Sequence, residues 1–146
     1  ELLNPQALKL AQSFEGCGVL KQQGSYYYLK LNDDYIHQIY PLVLTHDAIK
    51  KPDYFAAPDA VGAHISVIYP EEGARPVLAQ LDEVHRFSIE RLVKLKLGEK
   101  FYYALAVNAP SLAVFRKMHA LDAMPTFKQE KIFFHITVAI EDAKYH

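Results

Sequence analysis

Two short stretches carry the residue types best suited to chemistry: His64-Ile65-Ser66-Val67 and His135-Ile136-Thr137-Val138. Each is an imidazole, an aliphatic, a hydroxyl and a valine. Each lies in an apolar run, from Val61 to Tyr69 and from Ile132 to Ile140. Strand side chains alternate between faces, so the imidazole and the hydroxyl share one face and the aliphatics the other. An imidazole takes or gives a proton near neutral pH. Hydroxyls donate to an oxygen on which charge develops, where fixed donors count most. Two such faces across one cleft would supply a base, an acid and charge stabilisation. Which histidine is the base depends on how a substrate lies. One such histidine alone reads as an ordinary core residue; the matched pair points to a site.

The elements around the motifs form a repeat. Pro5 to Phe14 reads as a short helix capped by Asn4, with Leu8, Leu10, Ala11 and Phe14 on its apolar side. Val19 to Lys21 and Ser25 to Leu31 read as a hairpin about Gln22-Gln23-Gly24, its second strand rich in aromatics. Asn32 and Asp33 offer caps to a helix over about Asp34 to Leu44, which Pro41 kinks or splits. Thr45 to Asp59 reads as irregular connection before the first histidine strand. Tyr69 and a loop with Arg75 follow it, and Val77 to Val84 reads as short helix or loop. Phe87 to Leu97 reads as a half-exposed strand and Lys100 to Val107 as a strand. A helix from Pro110 to about Leu121 follows, capped by Asn108 or the residue after it, with Leu112, Phe115, Met118 and Leu121 at helical spacing. A loop from Asp122 to Lys131 leads to the second histidine strand, and Glu141 to His146 reads as a polar tail. Tyr26 to Asn32 resembles Tyr102 to Asn108, and after each Asn come a helix, a connection and a histidine strand at similar distance. A duplicated strand–helix–strand unit about a pseudo-two-fold axis would make His64 and His135 symmetric partners.

These two His-x-Ser/Thr-x motifs, each ending a strand–helix–strand repeat, resemble the 2H phosphoesterase superfamily, which includes RNA 2′,3′-cyclic phosphodiesterases, LigT-like proteins and ADP-ribose cyclic phosphodiesterases. The resemblance covers about Ser25 to Ile140. It implies an α+β, bilobed fold of two antiparallel sheets around a central cleft with helices outside. The expected arrangement is a single domain over 1–146: an N-terminal helix and hairpin strand in 1–24, the first repeat in 25–70, a connection in 71–99 and the second repeat in 100–140. It also implies a metal-independent phosphodiesterase that opens 2′,3′-cyclic phosphates or related phosphodiesters of RNA or nucleotides, with His64, His135, Ser66 and Thr137 catalytic. Tyr69, Arg75 and Tyr27 are expected at the substrate. Two departures bear on substrate class: Ser66 stands where Thr is common, and Glu141-Asp142 follows the second motif in place of a basic residue. The alternative is a non-catalytic nucleotide- or RNA-binding module within a larger protein.

Bulk properties limit other readings. The length suits one domain with a real core, and 51% of residues are apolar. A formal net charge of −1 gives no global field for nucleic acid or anionic membrane, so any anion site must be local. Cys17 is the only cysteine, which suits a reducing, cytoplasmic setting. No run is long enough to span a membrane as a helix, and no signal peptide is read at the start. Neither motif has Asp, Glu or Cys at short ligand spacing on its own face, whereas zinc takes three or four protein ligands. No metal and no cofactor is therefore expected. The expected partner is an RNA end, oligonucleotide or cyclic nucleotide bound by a monomer. The remaining histidines read as surface or helix residues, and Lys94, Lys96, Lys128 and Lys131 as solvated surface.

Overall fold

The computed structural model describes residues 4–55, 60–73 and 80–142. Helix α1 (Pro5–Gln12) starts where the Asn4 side chain accepts from the amides of Gln6 (2.9 Å) and Ala7 (3.2 Å). Such a cap contributes about 1 kcal/mol. Ala7 and Ala11 are fully buried, which lets the helix approach the sheet closely. Strands β1 (Cys17–Gln23) and β2 (Tyr26–Lys30) form the expected hairpin, with Gly24 at φ 60° in its turn. The next helical span is split into α2 (Asp34–His37) and α3 (Tyr40–Val43), because Pro41 cannot continue an α-helical hydrogen-bond ladder. The region expected to be irregular contains a two-residue strand, β3 (Ile49–Lys50).

The first histidine strand is β4 (His64–Ile68), followed by a 3-10 turn (Pro70–Glu72). Then come β5 (Val84–Arg86), β6 (Ser88–Leu97), β7 (Lys100–Asn108) and α4 (Pro110–Met118). The N-cap of α4 is Ala109, the residue after Asn108, and it makes no side-chain cap hydrogen bond. Leu112 and Phe115 are buried, but Met118 is exposed, and the third buried residue of the helix is Arg116. The segment read as a loop holds a small ribbon, β8 (Thr126–Phe127) with β9 (Glu130–Lys131). The second histidine strand, β10 (His135–Asp142), closes the fold.

Apart from the β8–β9 ribbon, the described strands form one antiparallel sheet in the order β5-β1-β2-β4-β10-β7-β6, with β3 added to β10. This corrects the expectation of two separate sheets. The halves meet where Ile65 pairs with Ile136, the one register pair between β4 and β10. The seam is narrow, and the strands part beyond it. The core lies on the face opposite the histidines, where Leu29, Ile65, Val67, Leu105, Ile136 and Val138 are all 4% exposed or less. Glu141 is not a tail residue: it is fully buried, accepts from the Tyr103 hydroxyl at 2.5 Å and lies 3.6 Å from the Lys94 ammonium. No described helix is long and apolar enough to cross a membrane.

Candidate active site

Both histidine strands carry the same irregularity. In β4, Ser66 pairs with Tyr28 and Ile68 with Tyr27, leaving Val67 as an extra residue. In β10, Thr137 pairs with Ala104 and Ala139 with Tyr103, leaving Val138 extra. Each bulge falls one residue after the hydroxyl. A bulge bends its strand, raises its twist and resets alternation. Val67 and Ile68 are both fully buried, and Tyr69 returns to the face of His64 and Ser66. Strict alternation would have put Ile68 there instead. The Ile65–Ile136 pair sets His64 abreast of Thr137 and Ser66 abreast of His135, across antiparallel strands.

The two imidazoles are held alike. His64 Nδ1 lies 2.7 Å from the Gly62 carbonyl oxygen, and His135 Nδ1 lies 3.0 Å from that of Phe133. A carbonyl only accepts, so Nδ1 carries the proton in each ring and the Nε2 lone pair is left to act on a bound molecule. Gly62 has φ 64°, and a Cβ there would sit 2.3 Å from Asp33 Oδ1. Asp33 in turn accepts from the Ala63 amide at 2.9 Å and fixes the entry to β4. Burial pushes the His64 imidazolium down to a pKa of about 4, and His135 and Lys30 add to the depression while the Gly62 bond opposes it. Burial also lowers His135, with the Phe133 bond opposing. Both rings are therefore neutral near pH 7 in the free protein.

The histidines open into a cavity of about 620 Å³ lined also by Ser66, Thr137, Tyr69 and four further aromatics, Tyr26, Tyr54, Tyr102 and Phe127. The Tyr54 ring lies edge-on to His64 with centroids 4.6 Å apart. Tyr69 stacks on Phe127 at 4.8 Å. The Ser66 hydroxyl is 2.5 Å from the Tyr26 hydroxyl, and Thr137 meets the Tyr54 phenol. Burial pushes Tyr54 up to about 12 and raises Tyr26 and Tyr69 as well, so all three phenols remain O–H donors. Among the described lining residues none is Lys or Arg. At the rim, Lys128 Nζ donates to the Tyr102 hydroxyl at 3.1 Å.

Four of the expected site residues, His64, Ser66, His135 and Thr137, thus meet in one cavity with Tyr69. Tyr27 does not: it is 1% exposed on the core face, because Tyr28 pairs with Ser66 and Lys30 with His64, which puts Tyr26, Tyr28 and Lys30 on the cleft face. Tyr26 takes the place expected of Tyr27. Arg75 lies outside the described residues. Tyr54 and Phe127 sit in stretches without periodicity, so no pattern marked them. Among the described residues no group of three or more His, Cys, Asp or Glu could hold a metal ion. His85, expected at the surface or on a helix, is 8% exposed on β5, with Nδ1 2.8 Å from the Ser111 hydroxyl.

A family model described as Swiss Army Knife, 2H phosphoesterase domain, matches residues 27–146. The chain belongs to the 2H phosphoesterase family. The match spans both histidine strands and runs from Tyr27, within β2, through every later described element. Phosphodiester hydrolysis is the general chemistry that membership implies. No curated protein and no solved structure matches the chain.

Proposed function

We propose that this 2H phosphoesterase is a metal-independent phosphodiesterase of RNA ends or nucleotides that opens 2′,3′-cyclic phosphates or related phosphodiesters by two-histidine acid/base catalysis. The observation that carries the reading is the matched pair of imidazoles, each with Nδ1 tied to the backbone and Nε2 left for the cleft. One Nε2 takes the proton of an attacking water as its oxygen bonds to phosphorus. The other, protonated, gives its proton to the ribose oxygen as that P–O bond breaks. Ser66, Thr137 and the neighbouring phenols donate to the non-bridging oxygens. A phosphodiester carries one negative charge, which the hydroxyls of Ser66, Thr137, Tyr26, Tyr54 and Tyr69 in the cleft lining can serve as neutral donors, with the Asp53 carboxylate also among the lining residues. The phosphodiester charge also raises the pKa of the histidine acting as acid once substrate is bound.

The matched halves support a duplicated unit. The strands β1-β2-β4 and β6-β7-β10 occupy mirrored places in the sheet, and each histidine strand has its bulge at the same offset. A binding module without turnover is the second reading, favoured by the neutrality of both imidazoles before ligand arrives. The test is hydrolysis of 2′,3′-cyclic nucleotides and 2′-5′ linked dinucleotides in EDTA. His64→Ala and His135→Ala, folded by circular dichroism, are each expected to lose about 10²–10⁴ in rate. Full activity in either variant refutes the acid/base pair. Tight binding of these ligands with no turnover selects the second reading.

A further inference from the structure

The β8–β9 ribbon has two residues per strand and pairs with no other described strand. Such a hairpin is not stable alone in water. Its turn residues, Lys128 and Gln129, both have positive φ, 51° and 66°. That is type I′ geometry, which favours Asn-Gly. For Lys and Gln a left-handed backbone brings Cβ against the following carbonyl oxygen and is strained. Something outside the ribbon must hold it.

The holder is the turn after the first histidine strand. The amides of Lys128 and Gln129 donate to the two oxygens of Glu71 at 2.9 and 3.2 Å. Successive amides in such a turn make a concavity for an anion, and the Glu71 carboxylate sits in it. The amide of Thr126 donates to Glu72 at 3.1 Å, and that of Tyr69 does so at 2.9 Å. Arg116 grips the same carboxylate with two bonds, at 2.6 and 2.9 Å, and is 1% exposed. Its guanidinium also donates to the carbonyl oxygens of Val67 (2.8 Å), Asp122 (2.7 Å) and Met124 (3.0 Å). One network therefore ties the β4 bulge, Tyr69 and the ribbon together. Its outcome is Phe127 stacked on Tyr69, with Lys128 at the rim against Tyr102.

We propose that Glu71 and Glu72, with Arg116 behind Glu72, are positioning residues that latch the β8–β9 ribbon to this turn and so set the Tyr69–Phe127 wall of the cleft. None of the three lines the cavity. The inference rests on the phosphodiesterase reading only for its kinetic readout. Glu71 is exposed, so Glu71→Ala leaves the core intact. In that variant, amide exchange at Lys128 and Gln129 is expected to rise about tenfold or more, with the melting temperature almost unchanged. KM for a 2′,3′-cyclic nucleotide is expected to rise about five- to tenfold with kcat within about twofold. Glu71→Gln, which keeps one acceptor oxygen, should fall between. Adding Gln129→Gly to Glu71→Ala removes left-handed strain and should recover part of the loss. Unchanged exchange at the two amides, or faster exchange with unchanged KM, overturns the latch. If the wild-type chain turns over no phosphodiester, the phosphodiesterase reading falls by itself. The latch is then judged on exchange and on the nuclear Overhauser contact between the Tyr69 and Phe127 rings, which Glu71→Ala must weaken.

Discussion

Burial of His64 makes the site a source of acid instability, and its size can be worked out. The ordinary imidazole pKa is 6.5, and burial with its neighbours depresses His64 to about 4 in the folded protein. As pH falls through 6.5, the unfolded chain takes the proton first. Stability from this residue is thus fully present above about pH 6.5 and is lost as pH falls toward about 4, where the folded protein also protonates. Between about pH 7 and about pH 4.5 the linkage amounts to about 2–3 kcal/mol, a sizeable share of a small domain's stability. The perturbation is His64→Asn, which keeps a donor for the Gly62 carbonyl but does not titrate. Urea unfolding of both proteins at the two pH values is the assay. Carboxylates titrate in both, so the difference in pH dependence isolates the imidazole. The wild type is expected to lose about 2–3 kcal/mol more than the variant over this range. A difference below about 0.5 kcal/mol would refute the claim that His64 is held neutral by desolvation.

Three further outcomes are expected. The kcat/KM of the free enzyme should follow a bell-shaped pH profile with its maximum below pH 6.5, since both histidines are shifted down; a maximum above about pH 7.5 would contradict this. Gly62→Ala drives a Cβ to 2.3 Å from Asp33 Oδ1 and 2.4 Å from Lys30 Nζ at a positive φ. It should cost about 1–3 kcal/mol by chemical denaturation and lower turnover by displacing the Gly62 carbonyl from His64; wild-type values for both would disprove that role. Ala120, exposed after α4 with φ 60°, is a left-handed helix stop made of the wrong residue. Ala120→Gly should stabilise the protein by about 0.5–1 kcal/mol, read as a higher melting temperature, and a lower one would count against the strain argument.

Much of the site was legible because it depends on local alternation and on a repeat. His64 with Ser66, and His135 with Thr137, share faces by the simple period of a strand, and their matched places in two similar segments implied a common cleft. What failed was whatever depends on register. Tyr26 and Tyr27 are indistinguishable in sequence; only the pairing of Tyr28 with Ser66 assigns Tyr26 to the cleft and Tyr27 to the core. The bulge at Val67 has no residue signature, yet it carries Tyr69 to the cleft. Tyr54 and Phe127 reach the site from segments whose placement is set by long-range hydrogen bonds. Glu141 looked like the start of a tail because its partners, Tyr103 and Lys94, are distant in sequence. The break between α2 and α3 was the easier case, since Pro41 acts on its own backbone.

The narrow seam at Ile65 and Ile136 has a kinetic meaning. These residues are about half the chain apart, and one imidazole belongs to each side of their pairing. Contacts of such wide sequence separation close late, after hairpins such as β1–β2 and β6–β7 have formed. A chain with one half ordered displays a single histidine face and no cavity. Occupancy of the cleft by a ligand that touches both histidine faces therefore counts only fully assembled molecules. During refolding, ligand capture should lag behind the recovery of strand signal in circular dichroism, and simultaneous recovery would show that the seam forms early.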